Sequence, residues 1–199
     1  MNADFADYFL VLMQNYLLKN LRYLRNLRLK KDQKKMDDKI KSEKQLAAKE
    51  AVKFVKDGQI VGLGTGSTAY FAIAEIGELV KNGLSIKAIS TSTNTEKQAE
   101  SLGISLISID DVDEIDVTID GTDEFDDQLN LIKGGGGALL KEKMVAQITK
   151  KQIIIADSSK KVEKLGAFKI PVEVLPFTVF YVQKQIKKLG GKGEIRQKD

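Results

Sequence analysis

The fold class this sequence predicts is α/β: a mostly parallel sheet with helices on both faces. Two observations predict it. Short apolar runs alternate with stretches of helical period between residues 59 and 157, joined by short connections. Several of the helical stretches also close on a glycine (Gly58, Gly83, Gly103), where a helix C-cap belongs. Such alternation is Rossmann-like, and it places any ligand beyond the carboxyl ends of the strands.

The elements follow in order. Residues 38–56 are good helix formers with Leu46, Ala47, Ala51, Val52 and Val55 on one face. The run QIVGLG (59–64) is a strand, and TGSTAYFAIAEIGELVKNG (65–83) a helix. SIKAISTS (85–92) is strand-like, NTEKQAESLG (94–103) helical, and ISLIS (104–108) another strand. IDVTID (115–120) is a β-branched strand ending on acid. A glycine-rich turn leads into a helix over ALLKEKMVAQITKK (138–151), and QIIIAD (152–157) is a strongly apolar strand. Pro171 and Pro176 mark a change of register, after which VFYVQKQIKKLGG (179–191) is helical and the last residues resemble the entry to a strand. There is no internal repeat. The chain divides into residues 1–35, 36–170 and 171–199.

Composition narrows the chemistry. The 199 residues contain no cysteine and no histidine, which excludes disulfides, thiol nucleophiles, cysteine-based metal sites and serine–histidine triads. Acid–base work falls to Asp, Glu, Lys or Tyr. The net charge of +4 is uneven: residues 1–35 hold eight basic groups against three acids, and the remainder 24 against 25. Beyond residue 35 there is no broad basic surface for nucleic acid.

Residues 1–35 read as a basic amphipathic helix, with Leu10, Leu17, Leu21, Leu24 and Leu27 near helical spacing and Arg22, Arg25 and Arg28 between them. The eleven uncharged residues from Tyr8 to Leu18 fall short of the roughly 20 needed to span a membrane, and charge follows the apolar run instead of preceding it as in a secretory signal. Packing on itself or a neighbour is favoured over contact with a membrane surface. Met36 stands where the composition changes, so residues 1–35 are expected to lie outside the working domain.

Three motifs can carry chemistry. Gly64, Thr65, Gly66, Ser67 and Thr68 follow a strand and open a helix, where backbone N–H groups and hydroxyls suit an anion. The dinucleotide fingerprint fails because its sixth position is Ser67 and no acid closes the following strand; no lysine follows for a Walker loop. A monophosphate cradle is favoured over a turn that merely packs helix on strand. Asp120, Gly121, Thr122, Asp123 and Glu124 stand at a strand's carboxyl end, within a stretch (110–127) of ten acids. Most of those acids are expected on a solvated face; Asp120 and Asp123 are singled out by position, and a metal is disfavoured because hard-cation loops space their oxygens more regularly. Lys133 precedes Gly134, Gly135, Gly136 and Gly137. Four glycines need a reason, either close backbone approach to a ligand or a flexible lid. Lys133 suits polarising an oxyanion, or a Schiff base if its pKa is depressed. Glu142 on the next helix is, taken alone, an ordinary surface charge.

Together VGLGTGST, DGTDE, IKGGGGALLKEK, IIIADSSK and IPVEVLPF resemble the type A ribose-5-phosphate isomerase family from Met36 to Asp199. DGTDE followed by KGGGG and a Glu nine positions after the Lys is the specific part. The resemblance implies interconversion of ribose 5-phosphate and ribulose 5-phosphate in the pentose phosphate pathway, without metal or organic cofactor, by a cytoplasmic homodimer or homotetramer. It implies that Glu142 moves a proton between C1 and C2 through an enediolate and that Asp120 assists ring opening or proton traffic. Asp123 and Lys133 would hold the reacting oxygens, and Gly134, Gly135 and Gly136 would supply backbone donors. Thr65, Gly66, Ser67 and Thr68 would bind substrate and its phosphate, with Gly121 and Thr122 beside it and Lys44 and Lys160 as cations. Residues 36–170 would be the catalytic domain and 171–199 the start of a small α/β domain left incomplete. A non-catalytic sugar-phosphate-binding module, or an inactive fragment, is the alternative.

Overall fold

The computed structural model describes residues 3–196, with side chains from Arg25 onward except Leu27. The leucine face expected over Leu10, Leu17, Leu21, Leu24 and Leu27 therefore lies outside the described side chains.

Helix α1 (Ala3–Val52) runs through Met36 without a break. Its described residues are exposed as far as Lys39, and its core contribution begins near Ala48. Two expectations are corrected here. The helix stops at Val52, four residues early, and Leu46 is 62% exposed. The buried face is Ala48, Ala51 and Val52, because only that arc of the helix turns toward the sheet and small alanines let it approach closely.

Strands β1 (Ile60–Leu63), β2 (Lys87–Ser90), β3 (Ser105–Leu106), β4 (Ile115–Gly121) and β7 (Thr149–Ile155) form one parallel sheet in the order β3-β2-β1-β4-β7. Helices α2 (Ala69–Lys81) and α3 (Thr93–Ser101) join α1 on one face, where Ala48, Ala51, Ile73, Ile76 and Ala99 bury Val61, Leu63, Val117 and Ile119. Helix α4 (Leu139–Gln147) covers the other face, with Val145 against Ile89 and Ile115. Sheet order reverses direction between β1 and β4. Connections leaving the two strands diverge there and open a crevice at their carboxyl ends.

A short antiparallel pair, β5 (Glu124–Phe125) and β6 (Leu131–Ile132), follows β4 and carries the chain back toward that crevice. Sequence reading missed it, since two-residue strands leave no periodicity. Its turn is held by Asp126, whose Oδ1 accepts the N–H groups of Gln128 (3.0 Å) and Asn130 (2.9 Å). Of the ten acids in this region, Asp110, Asp111, Asp113, Glu114 and Asp127 are exposed, as expected of a solvated face, whereas Glu124 and Asp126 are buried with Asp120.

The helix expected over 138–151 is also shorter. It ends at Gln147, and Thr149–Lys151 belong to β7. Pairing with β4 outweighs the helix propensity of the lysines: Ile115 pairs with Thr149 and Val117 with Lys151, and the Thr149 hydroxyl meets that of Thr118 at 2.7 Å. Because β7 ends the sheet, Lys150 and Lys151 also place charge on an edge strand. Beyond Pro176, α5 (Val179–Lys188) leaves Phe180 and Tyr181 largely exposed.

Candidate active site

The crevice between β1 and β4 is an open cleft of about 460 Å³. Every residue lining it is one the sequence singled out. Of the fifteen candidates, only Lys44, Asp120 and Gly135 do not line it, and those three lie directly behind its wall.

The β1 side is built on close approach. A Cβ on Gly64 would fall 2.2 Å from Asp120 Oδ1, so only glycine lets the turn after β1 lie against the end of β4. The Thr65 N–H then donates to Asp120 Oδ1 at 3.1 Å, and the N–H of Gly121 donates to the same oxygen at 2.7 Å. The Thr65 hydroxyl lies 2.7 Å from that of Thr91, which donates to the Leu63 carbonyl (3.0 Å); Thr95 donates to the Gly64 carbonyl (2.8 Å). Thr91 and Thr95 thus fix the turn that carries Thr65. Sequence reading passed over both, because neither a threonine just past a strand nor one in the first turn of a helix signals its partner.

The β4 side holds the charges. Asp120 is 1% exposed and its Oδ2 meets Lys133 Nζ at 2.8 Å. Lys133 Nζ also donates to the Gly121 carbonyl (2.5 Å) and stands 3.2 Å from Glu142 Oε2, which itself has no aligned hydrogen bond. Helix α4 thus brings Glu142 inward. It is 6% exposed, which replaces the surface charge that a lone helical Glu suggests. Burial pushes its carboxyl above the ordinary 4.5, and the charges of Asp120 and, last, Asp123 add to the rise; the Lys133 ammonium opposes it without cancelling it.

That shift fixes a sign. The folded chain holds a proton on Glu142 at pH values where the unfolded chain has released it, so this group's stabilisation is present below 4.5 and is lost as pH rises through the raised folded value. Glu142→Gln is therefore expected to melt higher than the native chain above that window and to match it below. Thermal melts of both at about pH 4 and about pH 8 check this.

Asp123 faces the cleft and ties down the glycine turn: its Oδ2 accepts the Gly135 N–H at 2.7 Å. A Cβ on Gly135 would lie 2.5 Å from Asp123 Oδ1 and 2.8 Å from the Phe168 ring. The glycines were expected to admit a ligand to the backbone or to form a lid; at Gly135 it is the protein's own carboxylate that comes close. Gly135→Ala is expected to destabilise the chain by about 1–3 kcal/mol through this overlap, read from urea unfolding. Glu124, buried behind Asp123, accepts the N–H groups of Gly166 (2.8 Å) and Phe168, which seats Phe168 against the turn. Arg196 donates to the Gly135 carbonyl at 2.7 Å. The sequence reading named Glu124 only as part of its motif and missed Phe168 and Arg196.

At the far end, Lys44 of α1 donates to Ser67 Oγ (2.9 Å) and pairs with buried Asp157 (3.7 Å), while Lys160 lines the cleft directly. Asp157 was also missed, although it ends an apolar strand as Asp120 does. Among the described residues no cluster of acids could hold a metal ion, and no helix is long and apolar enough to cross a membrane.

The cleft at the reversal of a parallel sheet, with a buried carboxylate set against a lysine, places the chain among α/β proteins that bind small polar ligands at strand ends. Comparison with known proteins makes this specific. The profile of ribose 5-phosphate isomerase A (phosphoriboisomerase A) matches residues 87–199. Ribose-5-phosphate isomerase A of Streptococcus sanguinis is 56% identical over 157 residues, 78% of this chain and 70% of that one. That of Streptococcus thermophilus is 62% identical over 135 residues, 67% of this chain and 60% of that one. A solved D-ribose-5-phosphate isomerase in complex with phospho-erythronic acid superposes with a TM-score of 0.75 at 38% identity, covering 80% of this chain and 71% of the other. The chain belongs to the ribose 5-phosphate isomerase A family, and it spans roughly 60–70% of the length of these relatives.

Proposed function

We propose that this chain interconverts ribose 5-phosphate and ribulose 5-phosphate, with Glu142 as the base. The observation that carries the proposal is the buried Glu142 carboxylate, of raised pKa, 3.2 Å from the Lys133 ammonium. In the open-chain aldose Glu142 takes the C2 proton, and the electron pair moves through C1 onto O1. The ammonium opposite stabilises the charge that develops there. The same carboxyl returns its proton to C1 while a hydroxyl proton passes from O2 to O1, leaving the ketose. A base whose pKa is lifted toward neutrality is matched to both transfers.

The other candidates take roles from this geometry. Lys133 donates to Asp120 and Gly121 and stands against the Glu142 carboxylate as an ion pair, an arrangement that favours electrostatic work over a Schiff base. Asp120, enclosed and fully engaged, fits anchoring Lys133 better than proton traffic at sugar hydroxyls, which falls to Asp123. Thr65, Gly66, Ser67 and Thr68 hold the phosphate end with Lys44 and Lys160, and Gly121, Thr122, Gly134 and Gly136 line the sugar. Phospho-erythronic acid in the related structure is a phosphorylated acid of similar size, in keeping with such a cleft. No step needs a metal or organic cofactor. We place the protein in the cytoplasm, as a homodimer or homotetramer, on the resemblance to its family.

A coupled assay of the purified full chain with ribose 5-phosphate tests the reading, with melting temperature followed in arabinose 5-phosphate. Turnover supports it. A rise in melting temperature without turnover leaves a sugar-phosphate-binding module. The absence of both turnover and a melting shift would remove the cleft from its role.

A further inference from the structure

Asp157 stands at the carboxyl end of β7 and is 2% exposed. Its two oxygens have separate tasks. Oδ1 caps the turn Ser158–Lys160, accepting the Ser159 N–H at 3.0 Å and the Ser159 hydroxyl. Oδ2 is buried, accepts no hydrogen bond, and faces Lys44 Nζ at 3.7 Å. Lys44 in turn donates to Ser67 on the cleft wall, and the capped turn carries Lys160 to the same cleft. Glu43, the neighbour of Lys44, accepts the Ser158 N–H at 2.8 Å, so α1 and the turn are joined twice.

We propose that Asp157 is a positioning residue for anion binding: one buried carboxylate holds both cations, Lys44 and Lys160, at the Ser67 end of the cleft. The inference rests on the phosphate reading given above. An uncompensated carboxylate near an anion site weakens it by repulsion. Here the carboxylate is compensated by Lys44, and it orders a long, flexible side chain before the anion arrives, which lowers the entropic cost of binding. Repulsion and ordering predict opposite signs when the charge is removed, so the two are separable.

Inorganic phosphate is titrated by calorimetry against the native chain, Asp157→Asn, Asp157→Ser, Lys44→Met and the Asp157→Asn/Lys44→Met pair, with ribose 5-phosphate kinetics alongside. Serine retains a capping hydroxyl, so Asp157→Ser decides the matter if Asp157→Asn folds poorly by its melt. The expected result is a phosphate dissociation constant and a KM raised about tenfold in both Asp157 variants, with kcat changed less than about twofold. In the Lys44→Met background the Asp157→Asn effect is expected to shrink below about twofold, since asparagine keeps the Oδ1 cap of the turn that carries Lys160 and loses only the charge that faces Lys44. Unchanged or tighter phosphate binding in the Asp157 variants, or full additivity in the pair, overturns the proposal while leaving the cleft reading intact. A native chain that binds no phosphate overturns both.

Discussion

Glu142→Gln is expected to lower kcat for ribose 5-phosphate by about 10²–10⁴-fold, the range a positioned acid–base group supplies. The amide keeps the size of the carboxyl and its place on α4 but can neither take nor return a proton. Binding should survive, because Glu142 lies at the Lys133 end of the cleft while Ser67, Lys44 and Lys160 form the other. The coupled assay should therefore show lost turnover, and phosphate titration an unchanged affinity. In the native chain the pH profile should carry an acid limb set by the raised Glu142 pKa, lying above the ordinary 4.5, since the base must be ionised to accept a proton. Equal turnover in both proteins would take the proton transfer away from Glu142.

Lys133→Met is expected to have a second large effect, on stability as well as rate. It strips the ammonium from Asp120, which is 1% exposed, and from Glu142 at once. Removing one partner of a buried pair leaves the other charge uncompensated and costs about 3–5 kcal/mol. Urea unfolding should show that loss at neutral pH. It should shrink in acid as Glu142, whose carboxyl already holds its proton above the ordinary 4.5, becomes neutral and no longer needs the lysine. Turnover should fall by about 10²–10³-fold with the loss of the group facing the oxyanion. A variant as stable as the native chain would show that Lys133 is not what balances these two acids.

The two variants separate the roles within one cluster. Glu142→Gln is expected to raise stability above the titration window while lowering turnover, whereas Lys133→Met lowers both. A site that trades stability for a poised base is expected to behave in this way. Asp120 stands between them as the fixed point. The N–H groups of Thr65 and Gly121 and the ammonium of Lys133 all converge on its carboxylate, so β1, β4 and the lysine are registered on a single side chain.

The sequence by itself determined the alternation of strands and helices, the parallel sheet, and the short motifs at strand ends. Each of these rests on local pattern: apolar runs, glycine caps, and acids where a strand stops. It also placed Asp120, Asp123, Lys133 and Glu142 in one pocket, but through the spacing of a family motif. Composition alone left Glu142 a surface charge. Tertiary structure decided the rest. Thr149 and Lys151 became strand because β4 lay open beside them, and Leu46 faced water because the sheet took only the arc of α1 that holds Ala48 and Ala51. Asp157 gained its partner from 113 residues away, and Arg196 met Gly135 across 61. Burial and long-range charge pairing depend on which surfaces meet, and that is settled only when the chain closes on itself.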